Sequence, residues 1–419
     1  MFSFAPGRPI ADREFREKLG EALAGFNVRA KRVLVIIPDH TRTLPMPAAF
    51  ETIAEAYAPQ ARTLSFLIAL GTHPPLTEAE LARHLGPRLH DFPGVQILQH
   101  RWDDPAALAQ VGTIAREEMA EISGGLLREE VPVRVNRAVL EHDFLIILGP
   151  VFPHEVVGFS GGHKYFFPGI AGPDMLHASH WLGALITNPK VNGHRDTPVR
   201  ALIERAAALV PTPRAGISLV MRGQSLVGLF VGEVKGAWAA AAALSAEVNI
   251  VWADRAYSTV LSMAPAMYRE LWTAGKCMYK LEPVVEDGGA LIIYAPHLHE
   301  VSVTHGEWIL TVGYHTRDYF LAQWDKYRDV PWAVLAHSTH VKGIGTYRGG
   351  VERPRIEVVL ATGIPENVCR RINLGYQDPA SIRPEAFMGR EKEGVLAVPN
   401  AGEMLWRLAD GTVPDIDRL

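Results

Sequence analysis

Phe144-Leu145-Ile146-Ile147-Leu148, followed shortly by Pro153-His154-Glu155-Val156-Val157-Gly158-Phe159-Ser160-Gly161-Gly162-His163-Lys164-Tyr165-Phe166-Phe167-Pro168, is the stretch that decides how this chain folds. The apolar run has the composition of a buried parallel strand, and the segment after it gathers histidines, a lysine, a serine and a glycine pair before any helix can begin. In an open α/β sheet the crevice beyond the carboxyl ends of the strands is where ligands bind. Gly161 and Gly162 permit positive φ or a close backbone approach there. A plainer reading of the same residues is a tight strand-to-helix turn with solvated polar side chains.

Working outward, the same plan recurs upstream. Val33–Ile37 is a β-branched run that ends in Pro38-Asp39-His40-Thr41-Arg42, with a helical pattern over 48–57. Thr63–Leu70 is a second strand, running into Gly71-Thr72-His73-Pro74-Pro75 and a helix opened by Thr77 with Glu80 three residues on, a capping box. Val95–Gln99 is a third strand; 106–136 has no clear pattern. Alternation of this kind predicts an α/β protein with a mostly parallel sheet covered on both faces. Downstream, a helix carries His177 and His180, 217–221 and 226–230 form a hairpin, and an alanine-rich helix over 235–247 precedes a strand at 249–253. A helix near 266–276 and strands at 290–295, 332–336 and 356–360 predict a second α/β domain. The expected division is 1–260, an N-terminal cofactor-binding catalytic domain, and 261–419, a C-terminal domain closing over the substrate, with the active-site cleft between them.

Length and composition agree. A chain of 419 residues exceeds one ordinary core. Its 48% hydrophobic and 21% charged content is that of a globular protein, and a net charge of −4 gives no electrostatic case for nucleic acid or an anionic membrane. Cys277 and Cys369 stand far apart, without metal-type spacing, so neither a disulfide framework nor a zinc–cysteine cluster is expected. No signal-like N-terminus and no long apolar run is present, and a cytoplasmic protein is expected.

No Walker A sequence occurs, no Gly-x-Gly-x-x-Gly follows the first strand, and no His-Glu-x-x-His helix is present. Gly343-Ile344-Gly345 is expected to be a surface turn. His73 and His154 each fall just beyond a strand, beside prolines that fix the loop, and imidazole serves both as metal ligand and as proton carrier. Lys164 is either an anion-binding cation or a nucleophilic amine, with Tyr165, Phe166 and Phe167 to shield it.

Taken together, Ser160-Gly161-Gly162-His163-Lys164 with Pro168-Gly169-Ile170 resembles the Ser-Gly-Gly-Arg-Lys…Pro-Gly-Ile signature of the nickel-dependent lactate racemase family of 2-hydroxyacid racemases and epimerases. Asp39-His40-Thr41-Arg42, Gly71-Thr72-His73 and Pro153-His154 are similar to the family's Asp-x-Thr-Arg loop and its two catalytic-histidine loops, and His180 falls where the family places its nickel ligand. Lys276 and the turn from Glu286 to Gly289 extend the likeness into the second domain. The resemblance implies a nickel-pincer nucleotide, pyridinium-3,5-bisthiocarboxylic acid mononucleotide with nickel, joined covalently to Lys164. It further implies His180 on the metal, Asp39, Thr41, Ser160, Gly161 and Gly162 about the cofactor, and cofactor-synthesis proteins as partners.

By the same resemblance, His73 and His154 are the two bases of an isomerase that inverts C2 of a hydroxyacid by hydride transfer. Arg42 and Lys276 would hold the substrate's carboxylate and hydroxyl, an arginine being able to grip a carboxylate bidentately. Two departures stand out: His163 replaces the family's arginine, and Thr273 stands where a lactate-specific member carries glutamine. The shorter Thr273 leaves more room and removes an amide donor, so a substrate other than lactate is expected, such as a bulkier 2-hydroxyacid or a sugar acid. Other readings keep the cofactor but release a keto acid, build a zinc or iron site on His177 and His180 with His194 or Asp196, or retain only a nucleotide- or nickel-binding cleft.

Overall fold

The computed structural model describes residues 1–418. The chain divides into two compact units, each assembled from separate stretches: 1–152, 159–176 and 198–248 form the first, and 153–158, 177–197 and 249–419 the second. The chain passes between units several times before residue 249, and for that reason no single Pro- or Ser-rich linker marks a boundary near 260.

The first unit is built on a seven-stranded sheet in the order Phe2–Phe4, Ser225–Gly232, Arg214–Arg222, Phe144–Pro150, Arg32–Pro38, Thr63–Ala69, Val95–Gln99. The last five in that order run parallel, and the hairpin of 214–222 with 225–232 is antiparallel, as is the edge strand at Phe2–Phe4. Val33 to Ile37 are fully buried, as a parallel strand covered on both faces must be. One face packs Val33, Val35 and Ile37 against Phe15, Leu19, Phe50 and Ile53 of the helices Asp12–Leu23 and Met46–Tyr57. The capping box at Thr77 is present: its side chain accepts from Glu80 N, and Glu80 reaches back.

Strand order places the site. From Arg32–Pro38 the chain moves outward through 63–69 to 95–99, then returns to the other side of its starting strand as Phe144–Pro150. The point between 32–38 and 144–150 is therefore the topological switch, where loops diverge and leave a crevice. The loops carrying Asp39–Arg42 and Ser160–Lys164 both follow those two strands. The region from 106 to 136, without clear pattern in the sequence, is a hairpin of Leu108–Ile114 with Val131–Asn136 around a short helix, with a register shift between Gln110 and Gly112.

The second unit holds an all-parallel sheet in the order Gly375–Tyr376, Glu357–Thr362, Val285–Ala295, Tyr257–Met263, Val395–Val398. Ile250–Ala253 lies outside it, paired with Leu405–Leu408. Three expectations are corrected. Trp332–Ala336 is not a strand but the first half of the helix Trp332–Lys342; a short apolar run cannot tell a buried strand from a buried helix. The helix expected over 266–276 is two short turns, Leu271–Ala274 and Lys276–Tyr279. Gly343-Ile344-Gly345 is buried, not a surface turn: Gly343 caps the helix at φ +84°, where a Cβ would lie 2.7 Å from Met278 and 2.8 Å from Glu282.

Candidate functional site

In the first unit the loop after Arg32–Pro38 is organised by one carboxylate. Asp39 Oδ1 accepts from the Thr41 backbone N–H at 3.1 Å and from its hydroxyl at 2.6 Å, while Oδ2 lies 2.5 Å from His73 Nδ1. Burial alone would raise the Asp39 pKa, but His73, Arg42 and Thr41 outweigh it and hold the group well below the usual carboxylate range. An ionised carboxylate on Nδ1 fixes the proton there, which turns the His73 Nε2 lone pair outward. The His73 side chain is 36% exposed and Asp39 is buried, so the imidazole reaches solvent while its orienting partner does not.

The Ser160–Lys164 turn is held by the chain that folds over it. Ser160 Oγ accepts from Phe152 N and donates to Pro150 O. Trp238 Nε1 donates to Ser160 O, and the Arg200 guanidinium donates to the Phe159 and Gly161 carbonyls while lying 4.0 Å from the Trp238 ring. A Cβ on Gly161 would sit 2.6 Å from Val151, and one on Gly162 would sit 3.0 Å from Trp238. A positive φ at both positions, +83° and +58°, together with this close packing demands glycine at 161 and 162, and the two hydrogen bonds account for the hydroxyl at 160. His163 is pinned between Glu204, 2.7 Å from Nδ1, and Arg214, whose Nε donates to Nε2 at 3.1 Å. From Val156 to Pro168 every residue is buried except Lys164. Gly71 N donates to Gly169 O at 2.9 Å, tying the His73 loop to this turn.

The second unit carries His154, Thr273, Lys276 and His180. His154 Nδ1 accepts from the Val156 backbone N–H at 3.1 Å, so in the neutral ring the proton resides on Nε2. The Glu155 carboxylate, 3.3 Å from the same Nδ1, becomes an ion-pair partner only when the ring is doubly protonated. Burial would raise the Glu155 pKa; Lys280, the residue's own backbone, His340 and Lys276 together lower it. Lys280 donates to the Pro153 and Glu403 carbonyls and so braces the turn beside His154. Lys276 Nζ lies 5.0 Å from the Tyr268 ring centroid, and the Thr273 hydroxyl donates to Glu270 O at 3.0 Å. His180 is half-buried on the helix Pro173–Ile186.

Sequence reasoning missed Glu155, Lys280, Arg200, Glu204 and Arg214. Only Glu155 and Lys280 carried a local signal, the first by adjoining His154 and the second by lying one helical turn beyond Lys276; the others act from far along the chain. Among the described residues a site on His177 and His180 with His194 or Asp196 does not form. His177 Nδ1 accepts from Ala333 N and Arg407 donates to His194 Nε2, and among the described residues no three His, Cys, Asp or Glu side chains converge as a metal site.

A model of the lactate racemase N-terminal domain matches residues 19–192. The lactate racemase of Lactiplantibacillus plantarum is 27% identical over 293 residues, 67% of this chain and 62% of that protein. The lactate racemase of Thermoanaerobacterium thermosaccharolyticum is 25% identical over 63% of this chain and 60% of its own length. Residues 19–192 of this chain therefore resemble the N-terminal domain of the lactate racemase family. It spans about three-fifths of the length of these curated relatives. A crystal structure of a Thermotoga maritima protein superposes with a TM-score of 0.89 at 31% identity, covering 97% of this chain and all of that one. The lactate racemase apoprotein of T. thermosaccharolyticum shares the fold, with a TM-score of 0.72 at 18% identity over 95% of this chain and 93% of its own. Among the described residues no helix is long and apolar enough to cross a membrane.

Proposed function

We propose that this protein is an isomerase, a racemase or epimerase that inverts C2 of a 2-hydroxyacid other than lactate. The observation that carries this reading is the opposite preparation of two histidines. His73 presents an Nε2 lone pair, fixed by Asp39, and His154 presents an Nε2 proton, fixed by the Val156 N–H. Inversion requires a group that takes the hydroxyl proton and a group that returns one, each titrating near the working pH. The resting tautomers already supply one of each, and a binding protein would need neither.

The donor set fits a nickel-pincer nucleotide. Lys164 is a half-buried lysine in an otherwise buried turn, suited to a covalent tether, and the His180 imidazole, half-buried on the helix Pro173–Ile186, suits a metal whose remaining ligands would come from the organic group. When bound, that group supplies a hydride acceptor and so avoids a carbanion beside an ionised carboxylate. The chain's own part is positional and protonic. Arg42 holds the substrate carboxylate, Lys276 the hydroxyl region, and Thr273 leaves space beside it. His73 Nε2 accepts the hydroxyl proton of one enantiomer, and His154 Nε2 delivers the proton of the other. Asp39 and Thr41 orient His73, and Ser160, Gly161 and Gly162 shape the turn that presents Lys164. In this reading the first unit supplies Lys164, Arg42 and His73, and the second supplies His154, His180 and Lys276.

The protein is also inferred to work in the cytoplasm, where Cys277 and Cys369, both buried and unpaired, remain reduced, and to receive its cofactor from synthesis proteins. Peptide mapping of protein produced beside a cofactor-synthesis system tests the proposal. An added mass on the Lys164 peptide with bound nickel is expected, and so is inversion of a 2-deuterated hydroxyacid with the label retained. An unmodified Lys164 under conditions that load another family member, or loss of the label to solvent, overturns it.

A further inference from the structure

The first unit contains a second feature beside Arg42. A cavity of about 320 Å³ opens there, at the lower end of the range of small-molecule sites. Its wall combines His40, Arg42, Glu80 and Arg83 with an apolar side made by Leu44, Met46 and Pro47. A group the size of a methyl needs no such space.

The two guanidinium groups outnumber the one carboxylate in the lining. Glu80 is its single carboxylate, and that carboxylate is already engaged: Oε2 accepts from both the backbone N–H and the hydroxyl of Thr77 at 2.9 Å in the capping box. Against it stand the guanidinium groups of Arg42 and Arg83, with the His40 ring beside them as a further hydrogen-bonding group. His84, at the back, is buried and its Nε2–H donates to Pro38 O at 2.8 Å; burial lowers its pKa, so it enters as a neutral group. The helix Met46–Tyr57 begins at this wall with no acidic residue in its first turn and no side-chain cap from Pro45, which adds a weak positive potential. Because His84 is bonded to the residue before Asp39, the cavity is anchored to the strand end that also positions His73.

We infer that this cavity is the subsite for a second anionic group of the substrate, so that the hydroxyacid inverted is a short 2-hydroxydicarboxylate. This rests on the function proposed above. Arg42, shared by the cavity and the reacting end, takes the C1 carboxylate; Arg83 and His40 take the distal one; Leu44, Met46 and Pro47 cover the methylenes between. The apolar side makes a fully hydroxylated chain a poorer occupant than a dicarboxylate, since buried hydroxyls there would lack partners.

Calorimetric titration of the full chain, without cofactor, tests the subsite apart from the chemistry. The probes are malate, 2-hydroxyglutarate, lactate, gluconate and inorganic phosphate. Malate or 2-hydroxyglutarate is expected to bind at least about tenfold more tightly than lactate or gluconate, one bidentate arginine contact being worth about that factor. Arg83→Met, at an exposed position that leaves the fold intact, is expected to remove that preference, and Arg83→Lys to restore it in part. Equal binding of lactate and dicarboxylates, an unchanged preference in Arg83→Met, or inorganic phosphate as the tightest ligand would each overturn the inference. If those results came with a Lys164 adduct and inversion of some other hydroxyacid, the subsite would fall and the proposed function would stand.

Discussion

His73 and His154 are the same residue type, each just beyond a parallel strand and beside a proline, yet they are held in opposite ways. The His73 ring is gripped by a side chain, the ionised Asp39, and keeps its proton on Nδ1. The His154 ring is gripped by main chain, the Val156 N–H, and keeps its proton on Nε2. A carboxylate on Nδ1 holds a ring proton there, whereas a backbone N–H pointing at Nδ1 holds the ring in the other tautomer. Under the proposed function, mirror-image substrates would not need mirror-image bases; two rings of complementary protonation would serve at rest.

The largest effect should come from breaking either member. In the loaded enzyme, His73→Ala and His154→Ala are each expected to lower kcat by about 10³-fold in both directions, since the reverse reaction uses the same pair. Steady-state racemisation followed by chiral chromatography reads this, and a variant retaining near-normal turnover would remove that histidine from the reaction. Asp39→Asn makes the two rings alike. Its amide N–H can donate to His73 Nδ1, which moves the ring proton to Nε2 and leaves no resting base. A loss of about 10²-fold is expected with the substrate KM little changed; a rise in KM alone would mean that Asp39 acts on binding.

A smaller effect is expected from Lys280→Met, which frees the Pro153 carbonyl and takes the first cation away from Glu155. The orphaned buried acceptor costs about 1–3 kcal/mol of stability, measurable by urea denaturation. The activity loss should be larger than that of an equally destabilising substitution in the core of the first unit. Equal losses would make Lys280 a purely structural residue.

How much of this was legible in the sequence depends on how local the cause is. The strands at Arg32–Pro38 and Thr63–Ala69 and the Thr77–Glu80 capping box show through periodicity and short-range chemistry. The Asp39 and His73 loops were legible as loops, each following an apolar strand. Trp332–Ala336 was misread because its apolar run has no period to separate helix from strand. The tautomer of His154 could not be read, because it depends on where the Val156 N–H points. Nor could the bracing of the turn at Ser160–His163, since Arg200, Glu204, Arg214 and Trp238 reach it only through tertiary packing. The interleaved segments of the two units likewise follow from three-dimensional contacts and leave no mark in composition.

The smallest effect at neutral pH concerns histidines that do no chemistry. Burial pushes His100 and His340 down to about 4 and His337 to about 3. All three are neutral when folded and take up protons on unfolding below the ordinary pKa of about 6.5. Stability contributed by their neutral state is present above that value and is lost as pH falls toward 4. Between those limits the slope is up to about 1.4 kcal/mol per pH unit for each. Urea midpoints from pH 4.5 to 7.5 read it, and His337→Gln should flatten the curve without touching the comparison of His73 with His154.

That comparison is tested most directly by long-range ¹H–¹⁵N correlation spectra of the histidine-labelled protein near pH 8, assigned by His73→Gln and His154→Gln. The account predicts a proton on Nδ1 of His73 and on Nε2 of His154 in the same sample, with Asp39→Asn moving only the first. Two rings in the same tautomer, or an Asp39→Asn spectrum identical to that of the unsubstituted protein, would contradict it.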